Sequence, residues 1–344
     1  MCATDEPEGV LADMATMADV ARVAGVSTAT VSHVINGTRT VRQETRRAVE
    51  AAVEVTGYSP NTLARSLATG GTRSVAVVMS AISNPYFGQL LQGIEAEVLQ
   101  RGYTLLLTDP HDDPDYELTV VRDMHERRVD GIVLAASAEP RPALDYLAAR
   151  GVPVVLADRI VDERYDQVGP ENVESTAQLV DHLAEHGHRR IAMIGGLAGL
   201  STTEERLRGY RDGLARNGIG QDAALVDSGR SDSEGAAAAV ARLLVAPDRP
   251  TALIAANNSM TIGAMQALRR AGLSVPEDVA LVGFDDFPWA DCFAPRLTVV
   301  AQPCEEIGAK AAQLLFRRFA DPEAPAETHR FPSHLVHRNS CGCP

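Results

Sequence analysis

Several kinds of protein are excluded by what this chain has little of. It carries 32 basic residues against 46 acidic ones, a formal net charge of -14. That balance argues against a general nucleic-acid-binding surface, because a uniformly acidic field repels phosphate. Lysine is nearly missing: Lys310 stands against thirty-one arginines, which reads as a GC-rich coding bias. The five cysteines, Cys2, Cys292, Cys304, Cys341 and Cys343, are odd in number and follow no regular framework, so a reducing compartment is expected. The N-terminus has neither the basic start nor the apolar run of a cleavable signal peptide. Gly195-Gly196 and Gly283 lack the Lys and Ser/Thr of a phosphate loop and the spacing of a dinucleotide fingerprint. Catalysis is not expected, since no nucleophile with a base or metal cluster stands out.

What is present begins at Met17–Asn36, MADVARVAGVSTATVSHVIN. Thr16 can cap a first helix from about Met17 to Ala24, with Val20 and Val23 on its buried side, and Gly25 can end it in a left-handed conformation. Ser27 can cap a second helix whose Val31, Val34 and Ile35 share one face and whose Thr28, Ala29, Ser32 and His33 share the other. This is a helix-turn-helix pattern: one face packs and the other can enter a major groove. A small helical hairpin buried against a neighbour fits the bare pattern too. A third helix from near Arg42 to Glu54, with Ala48, Val49, Ala52 and Val53 as its apolar stripe, would complete a headpiece by Tyr58.

The following SPNTLARSLATGGTRS holds a short helix with Pro60 in its first turn and a Gly70-Gly71 exit. It is too short to be stable alone, and an ordinary linker fits equally. From Met14 to Arg73, seven arginines (Arg22, Arg39, Arg42, Arg46, Arg47, Arg65, Arg73) face four acids (Asp19, Glu44, Glu50, Glu54), a local charge of +3. The headpiece is basic although the body is acidic. Residues 1–13, with Asp5, Glu6, Glu8 and Asp13, read as a disordered extension.

From Ser74 onward, strand-like VAVVM, TLLLT, GIVLAA and PVVLAD alternate with amphipathic stretches, and RIAMIGG, ALVDSG, TALIAAN and VALVGFD repeat the pattern with helices at Glu204–Asn217 and Ser259–Ala271. Two similar α/β lobes with parallel sheets covered on both faces are expected. Open parallel sheets bind ligands beyond the carboxyl ends of their strands, so a small-molecule sensor is expected in the cleft between the lobes.

The order VSTATVSHVIN, TRTV, GYSPNTLARSL resembles the headpiece and hinge of the LacI/GalR family of bacterial repressors, nearest to its purine-responsive members, and the likeness runs from Thr16 to about Arg338. The resemblance implies an all-α helix-turn-helix headpiece on a two-lobed, periplasmic-binding-protein-like core. Its implied boundaries are 14–58 for the headpiece, 59–73 for hinge helix and linker, and 74–338 for the core, with a tail at 339–344. The first lobe would hold about 74–170 and 301–324, the second about 171–300 and 325–338. TVVAQ and the helix from Glu305 to Ala320 would cross back to the first lobe, and a strand near Leu335–His337 would return to the second.

It places Thr28, Ala29 and His33 against base edges, Leu67 as an apolar wedge in a central base step, and Thr16, Ser27, Thr30, Ser32, Asn36, Arg39, Tyr58, Asn61, Ala64 and Arg65 on the DNA-binding face. In the cleft it implies Tyr86, Phe87, Asp158, Arg206, Asn257 and Asp285 as effector contacts, where an Arg and an Asp can grip vicinal hydroxyls or a polar base. From the residues alone, Tyr86 and Phe87 can instead pack a helix end, Asp158 and Asp285 can be caps or interlobe ion pairs, and Arg206 can lie on the surface.

Two departures bear on the ligand. Leu200 stands where purine-sensing members have an arginine, and Arg230 where relatives commonly place an aromatic residue. A sugar or sugar derivative, with Arg230 pointing to a strongly polar or anionic one, is therefore expected. The whole reads as a homodimeric repressor of a palindromic operator, cytoplasmic and on the nucleoid when DNA-bound, released by its effector and needing no cofactor. The alternatives are a corepressor-dependent nucleobase or nucleoside sensor and a solute-binding receptor. No heptad extension follows Arg338, so a tetramer-forming tail is not expected. Cys341 and Cys343, with His334 and His337, match no zinc-finger spacing and read as a frayed tail, and His186 and His188 read as structural.

Overall fold

Thr16 and Asp19 form a reciprocal capping box that starts α1 (Met17–Ala24), and Gly25, at φ 66°, ends it. Ser27 caps α2 (Thr28–Asn36), and α3 (Gln43–Thr56) closes the bundle. Val20, Ala21, Val31, Val34, Val49, Ala52 and Tyr58 form its core. Two expected core positions fall elsewhere: Val23 is 46 % exposed and Ala48 is exposed. Val20 with Ala21 fills the core from α1, and Val49 with Ala52 fills it from α3, so each buried stripe is narrower than the run of apolar letters. The computed structural model describes residues 15–37, 39–59 and 71–343. The chain divides between Thr72 and Arg73 into two compact units.

The second unit is built from β1 (Ser74–Val78), α4 (Pro85–Gln100), β2 (Thr104–Thr108), α5 (Pro114–Glu126), β3 (Gly131–Leu134), α6 (Arg141–Arg150), β4 (Val154–Ala157) and β5 (Asp166–Pro170), then α7 (Val173–Glu185), β6 (Ile191–Gly195), α8 (Ser201–Arg216), β7 (Val226–Ser228), α9 (Ser233–Leu244), β8 (Ala252–Ala255), α10 (Asn258–Arg270), β9 (Ala280–Phe284), β10 (Thr298–Ala301), α11 (Cys304–Ala320), β11 (Thr328–Phe331) and β12 (His334–Val336). The strands make two six-stranded sheets, β11-β5-β4-β3-β1-β2 and β12-β10-β9-β8-β6-β7. All pairings are parallel except β10 with β12. The two orders are the same doubly wound order repeated, so the expected two-lobed α/β core is what the chain adopts. Among the described residues no helix is long and apolar enough to cross a membrane.

Three details differ from the sequence expectation. Strand β10, TVVA, stays in the second sheet, and the crossing to the first lobe comes after it, where α11 packs along α4. Strands β5 and β11 carry no apolar run, yet they pair in the first sheet, so Thr328–Phe331 belongs to the first lobe. Asp166 in β5 is 1 % exposed because Arg317 and Arg318 pair with it at 3.2 and 2.6 Å, compensating the buried charge. The expected tail is docked: Ser340 Oγ accepts from Thr298 N at 2.8 Å and donates to Leu281 O at 2.6 Å, and Cys341 is 1 % exposed.

The lobes are held at close helix crossings by missing side chains. A Cβ on Gly93 would lie 2.0 Å from the Glu305 carbonyl oxygen, and one on Gly308 would lie 2.0 Å from that of Leu90, so α4 and α11 touch backbone to backbone. Gly209 on α8 meets the Val173 oxygen at 2.1 Å in the same way, and Gly263 on α10 meets that of Ser233. Gly308→Ala should therefore lower the stability of the core by about 1–3 kcal/mol or more in urea unfolding of the full chain. Gly220→Ala, with nothing within 4 Å of the new methyl, should change it by less than about 0.5 kcal/mol. Equal midpoints for the two variants would contradict this packing.

Candidate functional site

On the headpiece, the turn between α1 and α2 leaves Thr28 and Ala29 exposed at the start of α2, with Ser32 and His33 half-buried one turn later on the same side. The caps occupy other expected residues. Ser27 Oγ accepts from Thr30 N at 3.2 Å and lies 2.9 Å from Thr30 Oγ1, and Asn36 Nδ2 donates to Ser32 Oγ at 3.1 Å. Thr16 N and its hydroxyl both donate to Asp19, which with Arg22 brings that carboxyl down to about 2. Arg39 is exposed. Tyr58, expected on the DNA-binding face, is instead 9 % exposed in the headpiece core, clustered with Val20, Val31, Val49 and Ala52. Asn61, Ala64, Arg65 and Leu67 lie outside the described residues.

In the core, the two sheets present their strand ends to one cavity between the lobes. Asp158 follows β4 at φ 68°, and Asp285 follows β9 at φ 72°. These are equivalent strands of the two lobes, so the same left-handed step delivers one carboxylate from each side. Such conformations are uncommon for residues other than glycine and gather at functional sites, though aspartate tolerates them better than most. Both acids are buried, at 5 % and 4 % exposure.

Tyr86, at the start of α4 behind the Asn84 cap, donates its hydroxyl to Asp158 Oδ1 at 2.6 Å. Arg159 Nη1 donates to Ala136 O at 2.7 Å and pairs with Asp112, while its Nε lies 3.6 Å from Asp158 and has no hydrogen-bond partner among the described residues. Across the cavity, Arg206 on α8 donates through Nε to Asn172 Oδ1 at 2.9 Å and bonds the Ala256 carbonyl. Its guanidinium sits 3.8 Å from the centre of the Phe284 ring and 4.0 Å from Asp285. Gln302 donates to Asp285, leaving its own Oε1 without a partner. Asn258 Nδ2 donates to Asn84 Oδ1 at 2.8 Å, a hydrogen bond from the second lobe to the first.

Desolvation governs the protonation of this set. Burial raises Asp158 above the usual carboxylate range, opposed by Arg159 and the Tyr86 hydrogen bond. Burial pushes Asp285 up to about 6, opposed by Arg206. The Tyr86 phenol is raised by burial and by the charge of Asp158.

Of the expected effector residues, Tyr86, Phe87, Asp158, Arg206, Asn257 and Asp285 all line the cavity. Asn257 also caps α10, accepting from Met260 N at 2.7 Å. Arg230 does not line it: its side chain is 69 % exposed and pairs with Asp232 at 3.9 Å, and the neighbouring Ser231 takes the lining position. The sequence reading missed Asn84, Asp112, Arg159, Thr202 and Thr203. Arg159 adjoins Asp158 in LADR and Asn84 adjoins the SNPYF aromatics, so strand-end and cap positions next to the named residues were the signal. A larger groove of about 1310 Å³ on the second lobe, around Trp289 and Phe293, gathers no comparable set of buried charges.

Comparison with known proteins agrees with this geometry. Residues 16–61 match the family described as bacterial regulatory proteins, lacI family, and residues 180–341 match the periplasmic binding protein-like domain. The chain is 33 % identical to the HTH-type transcriptional repressor PurR of Photobacterium profundum over 95 % of its length and 98 % of that protein. It is 34 % identical to the ribose operon repressor of Escherichia coli (strain K12), covering 95 % and 100 %. Among solved structures, a lac repressor dimer bound to operator and the anti-inducer ONPF superposes with a TM-score of 0.85 at 28 % identity, covering 96 % and 99 %. The transcriptional regulator CelR in complex with cellobiose superposes with a TM-score of 0.72 at 32 % identity, covering 95 % and 99 %. A helix-turn-helix headpiece followed by two doubly wound lobes, with whole-chain identity to two repressors, places this chain in the LacI family of bacterial transcriptional repressors.

Proposed function

We propose that the chain represses transcription as a homodimer on a palindromic operator and leaves it when a sugar or other neutral polyol fills the cleft. The observation that carries the ligand reading is the paired Asp158–Arg159 and Arg206–Asp285 set, one pair from each lobe, buried around one cavity. Carboxylates and guanidinium groups so placed hydrogen-bond vicinal hydroxyls as acceptors and donors. Asp112, Asp158 and Asp285 against Arg159 and Arg206 leave no excess positive charge, so a neutral polyol fits better than the anionic sugar that Arg230 had pointed to. The cellobiose complex above supports a sugar, as does a LacI-family regulator of Enterococcus faecium with bound ribose, 27 % identical over 78 % of this chain and 98 % of that one, with a TM-score of 0.69.

The cavity has a free volume of about 50 Å³, enough for a few waters but not for a monosaccharide, so the lobes must part to admit ligand. Parting breaks the Asn258–Asn84 hydrogen bond and turns about the three chain crossings as a hinge. Ligand shifts operator affinity only if it binds the open and closed forms unequally. Residues 59–73, with Leu67 as a minor-groove wedge, are assigned to transmit the change to headpieces at residues 14–58, each reading one half-site. Thr28, Ala29 and His33 are assigned to base edges, with Thr16, Ser27, Thr30, Ser32, Asn36 and Arg39 beside them.

The direct test is selection of random duplex DNA on the full-length protein, followed by addition of ribose, galactose, cellobiose or adenine to the complex. A palindromic site released by a sugar supports the proposal; adenine that tightens the complex favours a corepressor-dependent sensor instead. His33→Ala should cost about 1–3 kcal/mol at one base pair of the selected site. A loss spread evenly over all sequences would make His33 a phosphate contact.

The raised value of Asp285 sets a pH dependence. Between its ordinary value near 3.8 and about 6, the folded cleft keeps a proton that the unfolded chain has lost, so this group's contribution to stability falls as pH rises through that window. A ligand that donates to the carboxylate competes with that proton and binds more tightly as pH passes about 6. Calorimetry should show roughly tenfold weaker sugar binding at about pH 5 than above pH 7. Equal affinities would remove Asp285 as the acceptor.

A further inference from the structure

The docked C-terminal segment brings thiol and imidazole groups together on the second lobe, away from the cleft. His182 and His186 lie one turn apart on and just after α7, His337 follows β12, and Cys343 ends the described segment. Ligand atoms of His182, His337 and Cys343 all lie within 4.8 Å of one another. Cys343 Sγ is 3.5 Å from His182 Nε2 and 3.1 Å from His186 Nε2. In a tetrahedral zinc site, Zn–N and Zn–S bonds of about 2.1 and 2.3 Å set nitrogen and sulfur roughly 3.5 Å apart.

We propose that His182, His337 and Cys343 bind a zinc ion, with His186 as the fourth ligand. The chemistry of each donor agrees. His186 Nδ1 lies 2.7 Å from the His182 carbonyl oxygen, which can only accept, so Nδ1 carries the proton and Nε2 offers its lone pair on the side of Cys343. Cys341 is buried beside the cluster, its sulfur accepting from Thr298 Oγ1 at 3.2 Å and also contacting His182 and Cys343, whereas Cys343 is the sulfur grouped with the His182 and His337 ligand atoms. Imidazole with thiolate selects zinc over magnesium or calcium, which take oxygen ligands. His182 is buried at 5 % exposure, whereas His337 and His186 are exposed, so an ion enters from solvent and only the two outer rings turn to close the shell. The ion would pin three separate segments together: α7, the stretch after β12 and the C-terminal segment.

The test uses the full-length protein without a histidine tag, reduced, stripped with a chelator and titrated with cobalt(II) as a spectroscopic stand-in, then with zinc(II) in competition. The expected result is one equivalent of cobalt with tetrahedral visible bands and a thiolate charge-transfer band, displaced by zinc. Cys343→Ser should abolish the charge-transfer band, and His337→Ala should weaken binding by roughly tenfold or more. His334→Ala, also exposed and close in sequence, should bind as the wild type does. No bound equivalent, an octahedral spectrum, or wild-type affinity in Cys343→Ser would overturn the assignment.

Discussion

Removing carboxylates from water at the ends of β4 and β9 is the constraint on which the core's functional geometry depends. Asp158 and Asp285 are buried deeply enough that their charged forms are disfavoured, and they are tolerated because Arg159, Arg206, Tyr86 and Gln302 surround them. Such a set is only partly satisfied among the described residues: Arg159 Nε and Gln302 Oε1 have no hydrogen-bond partner there.

Close helix packing is built within each lobe rather than between them. Gly93 and Gly308 let α4 and α11 meet backbone to backbone, so the helix that follows β10 out of the second sheet is fixed to the first lobe. With β5 leading into α7 and β11 leading into β12, three chain crossings join the two lobes. The tight helix pairs of the second lobe, α7 with α8 and α9 with α10, are likewise internal to it.

Most of the architecture was legible because local signals agreed with the global fold. Thr16, Ser27 and Gly25 mark helix ends, and the apolar runs GIVLAA and TLLLT mark strands, the first buried on both faces and the second on the sheet edge and half-exposed. The unreadable parts are those where polar residues are buried through partners distant in sequence. Strand β5 escapes notice because Asp166 is neutralised by arginines about 150 positions away, which no local window contains. Ser340 and the cysteines beyond it looked like a tail because their partners, Thr298 and Leu281, come from other strands. His182 was overlooked on α7 because nothing nearby in sequence announces Cys343. In the cleft, six named residues converge because strand ends are predictable in open parallel sheets, whereas Arg230 shows that one loop position shifts a side chain from cavity to solvent.

The central claim is that occupancy of this charged cleft controls DNA binding. The most direct measurement is operator affinity of the full-length protein as a function of sugar concentration, made in parallel on Asp285→Asn, which keeps the shape of the site and removes its charge. The account predicts equal operator affinity for both proteins without ligand and a response to sugar in the wild type alone. An Asp285→Asn protein that responds as the wild type does would contradict it.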